Sequence, residues 1–212
     1  MRPLTDHTPK PLLQVGGKTL IEYHIERLRD AGVHNIVINT GRMGQQFEEK
    51  LGNGARYDVN LVYSHEGDAP LETGGGIANA LPLLQNEYFI AINGDIWSDF
   101  DFSTLQYQTD KQCHLVLVNN PEHNPQGDFA FSADSISNNG DKHYTFSGIA
   151  VYNRALFSDT AQGHTAFPLA PLLRQAVNQK QASAQLYTGK WFDIGTPQRL
   201  AELDKKLRNT NC

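Results

Sequence analysis

The fold class is decided by residues 88–95, YFIAINGD. The apolar run 88–92 predicts a buried β-strand, and the polar residues 93–95 predict a turn directly after it. Because ligands of α/β sheets bind beyond the carboxyl ends of the strands, this turn is a candidate binding position. Asp95 is a natural Mg²⁺ ligand there, since the glycine before it lets a phosphate come close. The residues alone leave open the alternative that the turn only ends the strand.

Short apolar runs alternate with helical patterns through the first part of the chain. Strands are predicted at 35–39, 61–63, 88–92 and 114–118, and helices at 20–31, 44–51 and 73–84. Residues 119–140 are rich in Asn, Asp, Pro, Gly and Ser, which predicts loops and short antiparallel strands. After them we predict a strand at 145–152, a helix at 169–180, a strand at 184–187 and a closing helix at 196–207. This order predicts a single α/β domain with a mainly parallel, mixed sheet flanked by helices.

Composition and charge argue against several classes of protein. The 212 residues are enough for one substantial core, and 39% hydrophobic with 19% charged residues is ordinary for a globular domain. A net charge of −5 without a Lys/Arg run argues against a nucleic-acid partner. No apolar run approaches the roughly 20 residues that span a bilayer, so no membrane partner is expected. Cys113 and Cys212 alone suggest neither a disulfide framework nor a zinc site, and we expect a cytoplasmic location.

A lysine between two prolines, at Pro9-Lys10-Pro11, is a candidate phosphate ligand. Each proline fixes its own φ and restricts the residue before it, so the loop is stiff. Lys10 would therefore present its ammonium group at little cost in conformational entropy. The alternative is a surface lysine in a turn that contains prolines.

Three glycines stand at the predicted entrance of the helix 73–84. Without side chains, Gly74 and Gly75 would let a ligand approach the backbone, and the first N–H groups of a helix have no partner inside it. A plain junction between a loop and a helix would have the same sequence. The glycine run alone does not separate the two interpretations.

Further polar candidates lie in the second part of the chain. Asp193 ends a short predicted strand, and Thr196-Pro197 after it resembles a helix N-cap followed by proline at the first helical position. Asp128 and the pair Ser147-Gly148 lie beside aromatic residues and could line a sugar site. Each of these residues also has a structural interpretation, as part of a turn or of the core.

Taken together and in this order, the segments resemble the sugar-1-phosphate nucleotidyltransferase family. The resemblance runs from residue 1 to about 207 and is carried by RPLT at 2–5, PKP at 9–11, ETGG at 72–75, NGD at 93–95 and the segment 191–196. It implies a Rossmann-like fold of the nucleotide-diphospho-sugar transferase type. A nucleotide-binding half at about 1–118 would be followed by a sugar-binding half at about 119–212. Without a β-helix or a dimerisation arm, a monomer is the expected state.

The resemblance also implies roles for the candidate residues. Lys10 matches the lysine that contacts the phosphates while the sugar phosphate attacks the α-phosphorus of the nucleotide. Asp95 and Asp193 match the carboxylates that hold Mg²⁺. Gly74 and Gly75 match the backbone that closes on the base and ribose.

Sugar contacts are implied in the same way. Asn93 and Asp128 match sugar-contacting positions, and Ser147 and Gly148 are the further candidates for that subsite. The implied partners are a nucleoside triphosphate and a sugar 1-phosphate.

Three stretches narrow the resemblance within the family. Residues 71–76, 127–129 and 145–148 look most like the uridylyltransferases that act on N-acetylmuramic acid 1-phosphate in bacterial cell-wall recycling, which implies UTP as the nucleotide. Mannose-1-phosphate guanylyltransferases are the near alternative. A non-catalytic nucleotide-sugar-binding relative is a third, and the retained lysine and carboxylates argue against it.

The resemblance raises one expectation about the start of the chain. Family members open with a buried strand and a glycine-rich loop of the type Leu-Ala-Ala-Gly-x-Gly-x-Arg, just before the segment that matches RPLT. Met1 stands where that loop should end, so we expect about a dozen further residues upstream. Without them the neighbouring strands would lose ladder partners, at about 1–3 kcal/mol for each buried group left unpaired, and turnover should be impaired.

Overall fold

The structure is a computed structural model that describes residues 1–67, 69–160 and 164–210. The strands and helices in these ranges follow in chain order: β1 Gln14–Val15, β2 Lys18–Thr19, α1 Leu20–Asp30, β3 Asn35–Thr40, α2 Gln45–Leu51, β4 Asn60–His65, α3 Glu72–Ala80, β5 Tyr88–Ile92, β6 Ile96–Ser98, β7 Cys113–Val118, β8 Phe129–Ser132, β9 Ser135–Ser137, β10 His143–Asn153, α4 Leu169–Asn178, β11 Ala182–Tyr187, β12 Trp191–Asp193 and α5 Pro197–Thr210. The longest helix, α5, has 14 residues. No helix in the described ranges has the length and apolar character needed to cross a membrane.

The chain divides into two compact units, each built from separated segments. The first unit contains Met1–His65, Asn93–Thr104 and Gly189–Cys212, and the second contains Glu66–Ile92 and Leu105–Thr188. The two units therefore interleave along the sequence. That the halves before and after residue 118 bind the nucleotide and the sugar stays a prediction.

In the first unit, apolar side chains collect around α1. Glu22 fixes the start of this helix, because one of its carboxylate oxygens accepts from the N–H of Thr19 at 2.8 Å and from its hydroxyl at 2.7 Å. The buried face of α1 packs with α2 and with the parallel strands β3 and β4. This cluster consists of Leu12, Ile21, Ile25, Ile38, Phe47, Leu51, Tyr57, Val59 and Leu61.

A second apolar cluster in the first unit surrounds β6. This strand pairs antiparallel with β12, so that Trp97 faces Phe192 and Ile96 faces Asp193. Trp97 is buried in a cluster with Val15, Leu20, Ile194 and Leu203. Side chains from α1 and α5 thus hold the β6–β12 pair in place.

The second unit is built on one mixed sheet with the strand order β11-β7-β10-β8-β9, to which β5 adds by pairing with β10. Every residue of β7 is buried, as expected for an interior strand. The core cluster of this unit includes residues of α3 and α4 in addition to residues of the strands β5, β7, β8, β9, β10 and β11. The strands are therefore joined to helices through a shared apolar core.

The predicted mixed sheet flanked by helices is confirmed, with more antiparallel pairing than the sequence indicated. The pairs β3–β4 and β7–β11 are parallel, and the other described pairs are antiparallel. The helix predicted at 73–84 begins one residue earlier, at Glu72, and ends at Ala80. It ends there because Pro82 cannot supply a helical N–H, and residues 81–83 form a 3-10 turn instead.

A buried histidine contacts β6 from α1. The Nε2 atom of His24 lies 2.9 Å from the carbonyl oxygen of Ile96, so a neutral ring protonated at Nε2 donates a hydrogen bond there. Burial lowers the pKa of His24 to about 4, and Arg27 acts in the same direction. The bond to Ile96 and the charge of Asp95 oppose this lowering without cancelling it.

We predict that the protein loses stability as the pH falls below 6.5 towards 4. In that range the unfolded chain binds a proton on His24 that the folded chain does not, which costs on the order of 2 kcal/mol between pH 7 and pH 5. Urea unfolding at the two pH values measures the loss. His24→Asn should remove this part of the pH dependence, whereas the exposed control His7→Asn should keep it. An unchanged pH dependence in His24→Asn would contradict the prediction.

Candidate active site

The Pro-Lys-Pro segment and the Asn-Gly-Asp turn contact each other in the first unit. The Nζ atom of Lys10 lies 2.8 Å from the Oδ2 atom of Asp95. The two side chains are 29% and 38% exposed, so both remain accessible to a ligand. Gly94 makes this approach possible, because a Cβ at that position would lie 2.9 Å from Cγ of Pro11. Two candidates that are far apart in the sequence therefore form one ion pair.

Asp193 is brought beside Asp95 by the β6–β12 pair. Asp193 faces Ile96, which directly follows Asp95, and the N–H of Ile194 donates to the carbonyl oxygen of Asp95 at 2.9 Å. The Asp193 carboxylate accepts a hydrogen bond from Arg199 Nη1 at 3.0 Å. The two candidate metal ligands therefore occupy neighbouring backbone positions, and each has a cation next to it.

The donor set fits a magnesium ion that shares its ligands with a substrate. No group of three or more His, Cys, Asp and Glu side chains that could hold a metal is found in the part of the chain that the structure describes. Asp95 and Asp193 thus supply two carboxylates between them. Mg²⁺ is commonly held by one or two carboxylates together with substrate phosphates and waters, so the two carboxylates meet its needs.

Asn93 lies at the end of β5, two residues before Asp95. Its side chain is exposed, and its carbonyl oxygen accepts a hydrogen bond from the N–H of Ile96 at 3.4 Å. This hydrogen bond closes the turn that leads into β6. Asn93 therefore belongs to the same unit as Lys10, Asp95 and Asp193.

Gly74 and Gly75 lie inside the first turn of α3 rather than in front of it. Both N–H groups donate to the carbonyl oxygen of Phe167, each at 3.1 Å. The prediction that these groups are open donors for a ligand is wrong for this conformation, because a peptide carbonyl already uses them. A Cβ at Gly74 would lie 2.4 Å from the ring of Phe167, and one at Gly75 would lie 2.3 Å from the carbonyl oxygen of Thr165. Close packing against residues 165–167 thus accounts for both glycines.

The sugar-site candidates of the second unit meet near the middle of β10. Asp128 Oδ2 accepts from the N–H of Phe146 at 2.8 Å. Ser147 is 1% exposed, and its hydroxyl oxygen accepts from the N–H of Ile149 at 3.1 Å. Gly148 is also buried and has a φ of +80°. Asp128 is the candidate of these three whose side chain reaches the surface.

An open polar cleft lies elsewhere in the second unit. Its volume is about 490 Å³, and it is lined by Asn119, Asn120, Pro125, Gln126 and the segment 141–144. Asp128, Ser147 and Gly148 are not among its lining residues. The cleft is wide open to solvent and carries none of the predicted site residues, so it is not part of the candidate site.

Two partners of the site were missed by sequence reasoning. Arg199 lies six residues after Asp193 and is placed by the first turn of α5, whose Thr196 hydroxyl accepts from the N–H of Arg199 at 3.2 Å. Asn124 bonds to Asp128 from the loop before β8. The available signal for Arg199 was its place in the predicted closing helix, six residues after the aspartate that ends the preceding strand. Asn124 had none beyond its place in a polar loop.

Comparison with known proteins decides the family. A family model described as Nucleotidyl transferase matches residues 1–210. The chain belongs to the nucleotidyl transferase family. The prediction from the sequence that the chain is a nucleotidyltransferase, and hence an enzyme, is confirmed.

Two relatives are similar to this nucleotidyltransferase in sequence, and one solved structure shares its fold. It is 48% identical over 211 residues to the N-acetylmuramate alpha-1-phosphate uridylyltransferase of Neisseria meningitidis serogroup B, a match that covers 95% of this chain and 90% of the relative. It is 29% identical over 210 residues to the mannose-1-phosphate guanylyltransferase catalytic subunit beta of Drosophila melanogaster, covering 93% of this chain and 56% of that protein. The inositol-1-phosphate CTP transferase from T. maritima has the same fold, with a TM-score of 0.77 at 17% identity over 98% of this chain and 91% of that one.

We predict that Gly75→Ala destabilises the nucleotidyltransferase by about 1–3 kcal/mol, because the new methyl group would overlap the Thr165 carbonyl. Alanine is otherwise better than glycine inside a helix by about 0.5–1 kcal/mol, so the sign of the change is informative. Denaturant unfolding measures it. Gly41→Ala is the control, since a Cβ there meets nothing within 4 Å. Stabilisation by Gly75→Ala would show that close packing does not require this glycine.

Proposed function

We propose that the chain transfers uridine monophosphate from UTP to N-acetylmuramic acid 1-phosphate and releases pyrophosphate, with Mg²⁺ as cofactor. The observation that carries the proposal is the contact between Lys10 and Asp95 beside Asp193, which fits a centre for binding phosphates and a metal. The name of the relative at 48% identity supports the choice of base and sugar. We also propose that the chain acts as a cytoplasmic monomer in cell-wall sugar recycling.

Lys10 would neutralise charge between the two substrates. A sugar phosphate and a nucleoside triphosphate are both anions, and their repulsion opposes the approach that displacement requires. In the described conformation the Lys10 ammonium group is held by Asp95 at 2.8 Å. When phosphates bind, this ammonium group would exchange its carboxylate partner for a phosphate oxygen. Because Lys10 lies at the site before the phosphates bind, this exchange of partners is the rearrangement needed to bring its charge to the developing negative charge.

Asp95 and Asp193 would hold the metal. A Mg²⁺ ion bound there would polarise the phosphate oxygens and screen the charge of the leaving pyrophosphate. Arg199 would keep the Asp193 carboxylate oriented through its bond to Oδ2. Asp95 would become available to the cation when Lys10 turns to the phosphates.

The displacement needs no general base from the protein. An oxygen of the sugar 1-phosphate, already an anion near neutral pH, forms a bond to the α-phosphorus of UTP. The bond from the α-phosphorus to the bridging oxygen breaks, and pyrophosphate leaves with that electron pair. The side chains thus have to align and neutralise the reactants, and alignment is a large part of the rate in such reactions.

The remaining candidates would form the two ligand subsites. We propose that Gly74 and Gly75 border the base and ribose, where their contact with residues 165–167 sets the backbone. We propose a sugar contact for Asp128 of the second unit, whose side chain reaches the surface, and Asn93 of the first unit is a separate candidate for a sugar contact. Ser147 and Gly148 are buried, so their contribution to a sugar contact would be to shape the backbone near Asp128.

A guanylyltransferase acting on mannose 1-phosphate is the second candidate. It is favoured by the 29% identity to the enzyme from Drosophila melanogaster, a weaker similarity than the one to the uridylyltransferase. A binding protein without catalysis has less need for Lys10, Asp95 and Asp193 together. The uridylyltransferase is therefore the function that we propose.

A pyrophosphate-release assay on the full-length protein tests the proposal. UTP and GTP are each combined with N-acetylmuramic acid 1-phosphate and with mannose 1-phosphate, with Mg²⁺ or with EDTA. We expect turnover with UTP and the muramic acid substrate, and its loss in EDTA. Turnover confined to GTP and mannose 1-phosphate would establish the second candidate. Binding of both substrates without pyrophosphate release would establish the non-catalytic alternative.

We predict that Lys10→Ala and Asp95→Ala each lose about 3 kcal/mol of transition-state stabilisation, because each removes one preorganised electrostatic partner. Turnover at saturating Mg²⁺ measures the loss. Lys50→Ala, which removes an exposed lysine of α2, is the matched control and should keep full activity. Turnover near that of the unmodified protein in both variants would remove the basis for the proposed site.

A further inference from the structure

The strand β10 changes partners half-way along one of its edges. It pairs with β8 at residues 143–144 and with β5 from residue 149 onwards. On its other edge, the register with β7 shifts between Phe146 and Ala150. The ladder on the β8 and β5 side is therefore interrupted just where Phe146 donates its N–H to the carboxylate of Asp128. A side chain completes the hydrogen bonding of the strand at this point.

Three side chains around Asp128 form a directional chain of hydrogen bonds. The amide Nδ2 of Asn124 donates to Oδ2 of Asp128 at 3.3 Å and to the hydroxyl oxygen of Thr145 at 3.2 Å. The Thr145 hydroxyl donates in turn to Oδ1 of Asn120 at 3.0 Å. The Nδ2 of Asn120 donates to the backbone carbonyls of Pro125 and His143, at 3.2 and 3.0 Å. In this series of hydrogen bonds, each group that accepts or donates has its orientation fixed by the bond to its neighbour.

The loop that carries these residues is also fixed through its backbone. The N–H of Asp128 donates to the carbonyl oxygen of Tyr144 at 2.8 Å. Gly127 has a φ of +65°, and a Cβ there would lie 2.7 Å from Oδ1 of Asn120. The loop thus lies tightly against β10, and Asp128 has little freedom to move as a whole.

The bonds have a consequence for the carboxylate of Asp128. Among the residues that the structure describes, the hydrogen bonds to this carboxylate use Oδ2, from Phe146 and from Asn124. Two donors on one oxygen fix the rotation of the carboxylate. A group that is held in its binding orientation before the ligand arrives loses less conformational entropy on binding.

We propose that Asn120, Asn124 and Thr145 are positioning residues for the sugar subsite. They hold Asp128 with Oδ2 turned towards β10, so that Oδ1 is the oxygen offered to a hydroxyl group of the sugar. The inference rests on the proposed function, which assigns a sugar contact to Asp128. It adds that Thr145, whose side chain is buried at 6% exposure, controls sugar affinity through Asn124 and Asp128.

Kinetics with UTP and N-acetylmuramic acid 1-phosphate test the inference. Thr145→Val removes the hydroxyl that Asn124 donates to, and we expect the KM for the sugar phosphate to rise about five- to tenfold. The KM for UTP should stay within about twofold, because the change concerns sugar binding alone. Thr145→Ser keeps the hydroxyl and should restore the KM for the sugar phosphate. A fall in thermal stability with both KM values unchanged would overturn the inference and leave a purely structural cluster.

A double variant tests whether Thr145 acts through Asp128. Asp128→Ala should raise the KM for the sugar phosphate further than Thr145→Val does. Adding Thr145→Val to Asp128→Ala should change nothing more, because the carboxylate to be oriented is gone. Independent effects that multiply in the double variant would overturn the inference. Asn138→Ala is the control, since it removes two hydrogen bonds between Asn138 and α4 in the same unit and should leave both KM values unchanged.

Calorimetric titration with the sugar 1-phosphate separates this inference from the proposed function. If the protein binds the sugar phosphate without turnover, the proposed reaction is wrong, and the dissociation constants of the same variants decide the inference. Unchanged sugar affinity in Asp128→Ala would overturn both the sugar contact and its positioning. Weakened affinity in Asp128→Ala but not in Thr145→Val would overturn the positioning alone.

Discussion

Three facing residue pairs join β6 to β12, and they connect parts of the chain that are far apart in sequence. Asp95 directly precedes β6 and Asp193 ends β12, so this short ladder sets the spacing of the two carboxylates. The strand pair is held in turn by the packing of Trp97 among side chains from α1 and α5, and by the bond from His24 to Ile96. The position of the candidate metal ligands is therefore a consequence of backbone pairing and apolar packing, rather than of the charges themselves.

The charges of the site contribute little to the stability of the fold. The pairs between Lys10 and Asp95 and between Arg199 and Asp193 are partly exposed, and exposed ion pairs are commonly worth about 0–1 kcal/mol. Their effect is local, because two carboxylates on neighbouring positions repel each other unless cations stand beside them. Lys10 and Arg199 supply those cations. The site is thus close to electrically balanced before any ligand binds, and a phosphate or metal would enter by exchange of partners.

Elements defined by local pattern could be predicted from the sequence, and those defined by distant partners could not. The apolar run at 114–118 is a strand that is buried on both faces, whereas the run at 88–92 is a strand whose residues are only partly buried. The same run does not encode whether its neighbour is parallel, so the antiparallel pairs of β10 were missed. Gly74 and Gly75 show the same limit of prediction from sequence. A ligand that approaches the backbone and the packed segment 165–167 would each require glycine there, so the sequence does not distinguish the two causes.

In the candidate site as well, residues that belong to motifs could be predicted, and contacts between distant residues could not. Lys10, Asp95 and Asp193 follow from motifs whose residue types suit phosphate and metal chemistry, and the structure brings them together. Asp128 was singled out by its neighbours in sequence, whereas the bonds that orient it come from Asn124 and from the backbone of Phe146. Hydrogen bonds across a loop and a strand leave no periodic trace in the sequence. Their existence depends on the register of β10, which is a property of the whole sheet.

The interleaving of the two units has a consequence for synthesis on the ribosome. Domains fold largely as units while the chain emerges from its N-terminus. All residues of the second unit, Glu66–Ile92 and Leu105–Thr188, are made before the segment that begins at Gly189. The first unit must wait for that segment, because it contributes β12 and α5. Asp193 therefore joins Lys10 and Asp95 only after every segment of the second unit has been synthesised, so the candidate site cannot assemble before that unit has emerged.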